Sequence, residues 1–221
     1  MHICLQNLNV IKSKIKGIIN TKQLKIEPQI VAVTKTFTLS KFKPLLENGH
    51  IHFGENKIQE VENKWSEIVN RFTHFKLHMI GRLQSNKAKK AVELFDYIHS
   101  LDSSSLALKI NKYEKELNKK TKLFIQVNVA YESQKSGIPL DELDNFFYYC
   151  TKELSLNIIG LMILPPINQD PNRYFKILRD KSRELKLFDL SMGMSSDYIE
   201  AIENESTFLR LGTAIFGERK I

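Results

Sequence analysis

Two groups of residues could bind and react with a small molecule, and the first is a single lysine. Lys35 directly follows the apolar run VAVT at residues 31–34, which has the composition of a buried strand. Burying a charge is costly, so a lysine in this place commonly ends its strand and reaches water. The alternative is an amine held in a partly desolvated site, where its pKa falls and the unprotonated form acts as a nucleophile.

The second group consists of two stretches rich in glycine and hydroxyl side chains. SMGMSSD at 191–197 contains Gly193, Ser195 and Ser196, and RLGTAIFG at 210–217 contains Gly212 and Thr213. Small residues let backbone N–H groups approach an anion closely, and a helix N-terminus adds a favourable dipole. The glycines could instead serve only to form tight turns. Two such stretches after neighbouring strands favour a site for a phosphorylated ligand.

A regular alternation of strands and helices must position these residues. After a helix at 5–20, the sequence predicts strands at 29–34, 50–54, 77–81, 97–101, 123–129, 158–164, 187–191 and 208–211. Helices are predicted between them. The clearest is at 57–72, where a buried apolar stripe is predicted from residues that recur at three- and four-residue steps: Ile58, Val61, Trp65, Ile68, Val69 and Phe72. Eight repeats predict an α/β fold, a single (β/α)8 TIM-type barrel with an extra N-terminal helix, and one domain over residues 1–221. An open doubly wound sheet would need a glycine-rich turn after its first strand, and VAVTKTFTL has none.

The barrel prediction brings the two groups of residues to one end of the molecule. In such barrels the functional residues lie at the C-terminal ends of the strands, and phosphate sites often follow strands seven and eight. Lys35 ends the first predicted strand, and the glycine-rich stretches end the seventh and eighth. Pyridoxal 5'-phosphate (PLP) combines a phosphate with an aldehyde that condenses with a lysine amine to give a Schiff base. The sequence therefore predicts PLP as the cofactor.

Seven motifs occur in order between about residues 29 and 219: AVTK, FGENKIQE, HMIGRLQSNK, QVN with a later SGI, GLM, SMGMSSD and RLGTAIFG. In this order they resemble the motifs of the pyridoxal phosphate homeostasis protein family, whose members are similar to the barrel domain of alanine racemase. The resemblance implies PLP held as a Schiff base on Lys35. It also implies a set of surrounding residues: Asn56 beside the cofactor, Ser195, Ser196, Gly212 and Thr213 around the phosphate, Met162 and Ser191 against the ring, and Arg210 facing the pyridine nitrogen.

Arg210 has a chemical consequence if it faces the pyridine nitrogen. An arginine stays cationic and disfavours a proton on that nitrogen, so the ring would stabilise carbanions poorly. The alternative for Arg210 is an ordinary ion pair at a strand end.

Three positions depart from the family pattern. Ile163 and Pro166 stand where smaller residues are more common, and Glu205 stands where glycine is usual. We expect these departures to alter loop packing and not PLP binding.

Two functions follow from the resemblance. One is a non-catalytic PLP-binding protein of intracellular PLP (vitamin B6) homeostasis, with PLP-dependent apoenzymes as recipients. The other is a PLP-dependent amino-acid racemase-like enzyme, which needs acid/base groups on both faces of its substrate. In alanine racemase the second group comes from a further domain of a partner subunit, and this sequence ends at Ile221, soon after the eighth predicted strand. Because no second base is evident, the non-catalytic function is favoured.

Composition bounds the remaining possibilities. The net charge of +8 suggests nucleic-acid binding, but no stacking-aromatic or groove-reading motif accompanies it, and the Lys87, Lys89 and Lys90 cluster fits a solvated helix face. No apolar stretch approaches a membrane span. The two cysteines, Cys4 and Cys150, fit a reducing cytoplasm. The family precedent favours a monomer.

The histidines offer one further candidate site. His50 and His52 lie two residues apart on a predicted strand, so both point to one face, and His78 would be needed as a third metal ligand. No cluster of cysteines or carboxylates accompanies them. We therefore predict a structural histidine pair and no metal site.

Overall fold

The structure is a computed structural model that describes residues 2–66, 68–69, 71–132, 134 and 136–218. Its eight central strands are β1 (Gln29–Val33), β2 (His52–Glu55), β3 (Lys76–Met79), β4 (Tyr97–Leu101), β5 (Lys122–Asn128), β6 (Ile158–Met162), β7 (Asp189–Ser191) and β8 (Phe208–Leu211). Each strand pairs in parallel with the next along the chain, and β8 pairs with β1. The sheet closes on itself, which confirms the predicted barrel.

Helices lie outside the strands and connect them. Those in the described part of the chain are α1 (Ile3–Lys22), α2 (Leu39–Glu47), α3 (Ile58–Trp65), α4 (Ala88–Leu94), α5 (Ser104–Glu116), α6 (Leu143–Tyr148), α7 (Pro171–Glu184), α8 (Tyr198–Glu203) and α9 (Thr213–Phe216). A 3₁₀ turn at Ser85–Lys87 precedes α4, and a π-helical turn at Tyr149–Glu153 continues α6. The two-residue strand Ile138–Pro139 pairs with β5.

The predicted extra N-terminal helix is confirmed by α1, which precedes the first strand. Its buried face carries Cys4, Leu8, Ile11 and Ile15, which recur at three- and four-residue steps. This face packs against α2, α8 and α9. The helix therefore covers the outside of the barrel where the chain begins and where the last strand ends. None of the described helices is both long enough and apolar enough to span a membrane.

The helix predicted at 57–72 is shorter in the structure. It ends at Trp65, and residues 67 and 70 lie outside the described part of the chain. Ile68 is buried as expected, but Val69, predicted on the same buried stripe, is 54% exposed. The apolar spacing continues beyond the helix end, and the chain leaves the helical path after that point. The prediction for Val69 was therefore wrong.

Six of the eight strands differ from the prediction at one or both boundaries, and two of these differences lie close to the candidate site or to its histidines. β2 begins at His52 and not at residue 50, and β6 ends at Met162 and not at Leu164. The carbonyl oxygen of Ile163 accepts a hydrogen bond from Nη2 of Arg210 at 2.8 Å. The Arg210 side chain from β8 therefore bonds the chain just beyond the end of β6, while the N–H of Ile163 still donates to the Ser191 carbonyl on β7.

A layer of apolar side chains fills the barrel interior. The layer includes Val31, Tyr97, Phe124, Met162 and Phe208, all at most 7% exposed. On β1, β5 and β8, and at the end of β6, the residue two positions beyond the layer lines a cavity: Val33, Gln126, Arg210 and Leu164. Because side chains alternate along a strand, a residue two positions on points to the same side. The layer is thus the floor on which the cavity rests.

The basic cluster after β3 lies on the outer surface and pairs with acidic side chains. Lys89 forms an ion pair with Glu116, and Lys90 forms ion pairs with Glu62 at 3.6 Å and Glu93 at 3.2 Å. Both lysines are more than 40% exposed. These contacts fit the prediction of a solvated helix face.

Candidate functional site

A cavity with a volume of about 810 Å³ opens at the C-terminal ends of the strands. This volume lies within the range of roughly 300–1,000 Å³ that is typical of small-molecule sites. Seven of the nine residues predicted from the sequence line it: Lys35, Asn56, Ser195, Ser196, Arg210, Gly212 and Thr213. The other two, Met162 and Ser191, are not among the lining residues and are fully buried below it.

One side of the cavity is formed by the loops after β7 and β8. Among the described residues, the backbone N–H groups of Ser195, Ser196 and Thr213 donate to no protein acceptor. The Ser195 hydroxyl accepts from the N–H of Ala214 at 3.1 Å, which ties the two loops together. Such a concave group of N–H donors is suited to an oxyanion with several oxygens.

Gly193 makes the first of these loops possible. Its φ of +92° lies in the left-handed region, and a Cβ at this position would lie 2.6 Å from Cβ of Ala201. The Gly193 carbonyl also accepts from the N–H of Arg210 at 2.9 Å. The backbone of Gly193 therefore does form the tight turn that was the alternative explanation for this glycine, and the turn leaves the neighbouring N–H groups of Ser195 and Ser196 without protein acceptors among the described residues.

Lys35 lines the cavity two residues beyond the end of β1, next to the loop after β8, and side chains from α3 hold the backbone on both sides of it. The N–H of Thr36 donates to Oε2 of Glu60 at 2.6 Å, and Nζ of Lys64 donates to the carbonyl of Thr34 at 2.9 Å. Glu60 and Lys64 pair with each other at 3.0 Å. Thr36 has a φ of 66°, an unfavourable conformation for threonine that the contacts hold in place. We call the Glu60–Lys64 pair the α3 clamp.

A buried carboxylate supports the α3 clamp from below. Oε1 of Glu55, at the end of β2, accepts from Oγ1 of Thr34 at 2.7 Å and Nε1 of Trp65 at 3.0 Å, and it pairs with Lys64 at 2.8 Å. Burial raises the pKa of Glu55 above its ordinary value, and these donors oppose the shift. The base of the Lys35 loop is therefore fixed to both β2 and α3.

Arg210 lies at the cavity floor and is only 4% exposed. Its Nη1 donates to the carbonyl and to the hydroxyl of Ser191, both at 2.6 Å, and its Nη2 donates to the carbonyl of Ile163. Burial lowers the pKa of Arg210 to about 10, opposed by the charge of Asp197, so the side chain remains cationic at neutral pH. Among the described residues no carboxylate lies within ion-pair distance of it. The geometry thus disfavours the alternative of an ordinary strand-end ion pair.

Several cavity residues were not identified as site residues from the sequence. Arg82 follows β3, Gln126 and Asn128 lie on β5, and Ser136 lies beyond β5. The signal for the β5 pair was present in the motif QVN, where two amides alternate with an apolar residue on a strand otherwise rich in apolar side chains. Polar residues at every second position of a barrel strand point inward together.

Gly81 is required for the packing around Asn56. A Cβ at Gly81 would lie 2.4 Å from the backbone oxygen and 2.8 Å from Cα of Asn56. The glycine in HMIGRLQSNK therefore lets the chain after β3 approach the chain after β2. This close approach brings Asn56 and Arg82 to the same cavity wall.

The three departures from the family pattern lie beside, and not inside, the cavity. Ile163 is buried, and its carbonyl accepts a hydrogen bond from Arg210. Pro166 is buried in the following loop. Glu205 has a φ of 68°, the left-handed conformation for which glycine is favoured, and it pairs with Arg183 at 2.6 Å. The left-handed backbone conformation at this position explains why glycine is usual there in the family.

The histidines considered as metal ligands form a different arrangement. His50 precedes β2, and its Nε2 contacts the carbonyl of His52 at 2.9 Å. Nδ1 of His52 lies 2.9 Å from Nε2 of His78, a nitrogen–nitrogen hydrogen bond. Within the described chain, no three His, Cys, Asp or Glu side chains converge as a metal site.

Comparison with known proteins agrees with this architecture. The family model described as "Alanine racemase, N-terminal domain" matches residues 7–220. The pyridoxal phosphate homeostasis protein of Synechocystis sp. is 36% identical over 200 residues, which cover 86% of this chain and 91% of that protein. The protein of the same name from Escherichia coli K12 is 35% identical over 202 residues, with 87% and 86% covered.

Solved structures of similar fold include a PLP-bound protein and an alanine racemase. PipY of Synechococcus elongatus, solved with PLP bound, is 32% identical with a TM-score of 0.81, covering 92% of this chain and 100% of that chain. An alanine racemase of Clostridium difficile is 15% identical with a TM-score of 0.75 and is covered over 57% of its length, a likeness of fold alone.

Proposed function

This chain belongs to the pyridoxal phosphate homeostasis proteins of the alanine racemase N-terminal domain family, and from this membership we propose that it binds PLP and takes part in intracellular PLP (vitamin B6) homeostasis. The observation that carries the proposal is the shared cavity. Lys35, Arg210 and the donor loops after β7 and β8 line one opening of about 810 Å³.

The residues present fit this cofactor. The unpartnered N–H groups of Ser195, Ser196 and Thr213 provide a place for the phosphate, and Gly212 adds no side chain that would fill it. Arg210, cationic and buried at the floor, suits a ring nitrogen that carries no proton. PLP supplies an aldehyde that condenses with an amine, and Lys35 is the cavity lysine that provides it.

The chain's own residues then have distinct roles. The α3 clamp fixes the backbone on both sides of Lys35, so that its amine is directed into the cavity. The loop residues Ser195 and Thr213 orient the phosphate, and Asn56 lies on the wall beside Lys35. Two residues lie below the cavity. Met162 packs in the apolar layer of the barrel interior, and Ser191 accepts a hydrogen bond from Arg210.

A non-catalytic role is supported by the groups that line the cavity. Among the described lining residues, the side chains that can carry a charge are Lys35, Arg82 and Arg210. These described lining residues include no histidine, tyrosine, cysteine or carboxylate to act as a second acid or base. The alternative, a racemase-like enzyme, would need such a group on the face opposite Lys35.

We expect no sustained amino-acid turnover by the purified, PLP-loaded protein. Racemisation of L- or D-alanine, in which the α-proton exchanges, should proceed no more than about tenfold faster than with PLP alone, because the second acid/base group, which typically contributes about 10²–10⁴-fold, is missing among the described lining residues. The Lys35→Ala variant serves as the control for background exchange. Saturable racemisation or transamination well above this background would establish the enzyme.

The α3 clamp gives a second prediction. Replacing Glu60 with alanine removes the acceptor of the Thr36 N–H, so we expect PLP affinity to fall about tenfold, the effect of one charge-assisted hydrogen bond. Glu60→Gln keeps an acceptor and should lose less. Burial acts to raise the pKa of Glu60, but the bonds from Thr36 and Lys64 leave it below its ordinary value, so the clamp should persist at pH 5 and loosen only in stronger acid.

The control for the clamp is Glu62→Ala on the same helix. Glu62 faces outward and its contact is the ion pair with Lys90, so this variant should bind PLP as the wild type does. Titration monitored by visible absorbance measures all three variants. Equal PLP affinity in Glu60→Ala and Glu62→Ala would refute a role for the clamp.

The wider context of the function is also part of the proposal. We place the protein in the cytoplasm, as a monomer whose residues 1–221 form one PLP-binding domain. Its recipients would be PLP-dependent apoenzymes. The acidic partners of Lys89 and Lys90 reduce the basic surface, which supports the absence of nucleic-acid binding.

A further inference from the structure

Three histidines inside the barrel form a chain of hydrogen bonds that ends at Arg210. Nδ1 of His52 lies 2.9 Å from Nε2 of His78, and Nδ1 of His78 lies 2.8 Å from Nε2 of His99. Nδ1 of His99 lies 2.7 Å from Oγ of Ser191, which also contacts Nη1 of Arg210 at 2.6 Å. We call these three residues and Ser191 the histidine chain. It links β2, β3, β4 and β7 to the arginine of the cavity.

The histidine chain crosses the barrel from one end to the other. His52 is the first residue of β2, is half-buried, and lines a cavity of about 360 Å³ at the N-terminal ends of the strands. His78 and His99 are both 0% exposed. Arg210, at the other end, lines the C-terminal cavity. Buried polar groups of this kind are costly unless every donor and acceptor is paired.

The direction of the hydrogen bonds follows from the arginine. Arg210 can only donate, so Oγ of Ser191 accepts from it. If His99 also donated to Ser191, the buried hydroxyl proton would have no acceptor among the described residues, which is unfavourable. Ser191 therefore donates to Nδ1 of His99. His99 then carries its proton on Nε2 and donates to His78, which in turn donates from Nε2 to His52.

The surroundings keep the two inner rings neutral and fixed. Burial lowers the pKa of His78 and of His99 well below the ordinary value of 6.5, and the charge of Arg210 adds to the effect on His99. The ring of His78 stacks on Tyr97 at 4.2 Å, and the ring of His99 stacks on Phe124 at 4.3 Å. Neutral rings in fixed planes can hold one set of tautomers.

We propose that His52, His78 and His99 are positioning residues that hold Arg210 in place through Ser191, with each proton of the chain directed away from the PLP cavity. Because the Ser191 hydroxyl donates its hydrogen bond to His99, its oxygen is free to accept the hydrogen bond from Nη1 of Arg210. The guanidinium is then held by this hydroxyl and by two carbonyls. The expected effect on PLP binding rests on the function proposed above, whereas the expected tautomers of the histidine rings do not depend on that function.

The tautomers can be measured without any cofactor. Long-range ¹H–¹⁵N correlation NMR of ¹⁵N-histidine-labelled protein distinguishes the two ring nitrogens, and His→Gln variants assign the signals. We expect His78 and His99 to carry the proton on Nε2 at pH 7. An Nδ1–H tautomer or an imidazolium at His99 would overturn the proposal, whatever the protein binds.

The positioning role is tested on the PLP-loaded protein. His99→Leu removes the acceptor of the Ser191 hydroxyl, so we expect PLP affinity to fall about tenfold and the visible band of the bound cofactor to shift. His99→Gln offers an amide donor and acceptor and should restore most of the affinity. Ser191→Ala, which removes the link but keeps the carbonyl contact to Arg210, should match His99→Leu and replaces it if that variant does not fold.

The outcomes separate the two proposals. Folded His99→Leu and Ser191→Ala proteins with wild-type affinity and spectrum would overturn the positioning role. A wild-type protein that binds no PLP would overturn the proposed function, while the tautomer measurement would still stand.

Discussion

Replacing Lys35 with alanine is expected to abolish covalent attachment of PLP and to weaken its binding by at least about tenfold, or about 1.4 kcal/mol. The covalent bond is lost because no other lysine lines the described part of the cavity. Residual binding should remain, since the donors of the phosphate side and Arg210 are unchanged. Borohydride treatment of the loaded protein followed by intact-mass spectrometry measures the attached cofactor.

The matched control is Lys57→Ala. Lys57 is an exposed lysine just beyond Asn56 and is not among the described residues that line the cavity. This variant should retain the full mass increase after reduction. A Lys35→Ala protein that keeps a stoichiometric reduced adduct would show that another amine holds the cofactor.

Replacing Gly160 with alanine is expected to destabilise the fold by about 3 kcal/mol, the upper range for an overpacked core position. Gly160 on β6 lies opposite Asp189 on β7, and a Cβ at Gly160 would lie 1.9 Å from the Asp189 carbonyl oxygen. Backbone cannot yield as a flexible side chain does, so β7 must move. Ser191, two residues further on, carries the contact to Arg210, and the cavity floor should be disturbed as well.

The same change at Gly17 is the control and should act in the opposite direction. Gly17 lies on the exposed side of α1, and nothing lies within 4 Å of a Cβ built there. Alanine in a helix interior is favoured over glycine, so Gly17→Ala should stabilise the protein by about 0.5–1 kcal/mol. Urea unfolding midpoints measure both variants. A Gly160→Ala midpoint equal to that of the wild type would contradict the β6–β7 register.

The features that sequence analysis predicted are those with a repeating or local signal. The alternation of apolar runs and helical stripes indicated all eight barrel strands, and the boundaries of β4 and β8 match the structure. Lys35 and Thr213 were predicted to lie near each other because both follow strands whose C-terminal ends meet at one end of a parallel barrel, and both line the cavity. Short elements such as α9 and Ile138–Pro139 have too few residues to show a period.

The missed features depend on contacts between distant parts of the chain. Glu60 and Lys64 look like an ordinary exposed pair on a helix, and only the fold brings them to the backbone around Lys35. His99 likewise shows no local signal, because its partners lie on β3 and β7. The stagger of the strands around the barrel, which aligns these side chains, is not encoded in any single segment.

The most direct test of the central claim is a crystal structure of the protein with PLP. We expect the phosphate at the loops of Ser195 and Thr213, density continuous with Nζ of Lys35, and the pyridine nitrogen next to Arg210. Full-occupancy PLP bound elsewhere, or a Lys35 side chain directed into bulk solvent with both loops lacking any anion, would contradict the account.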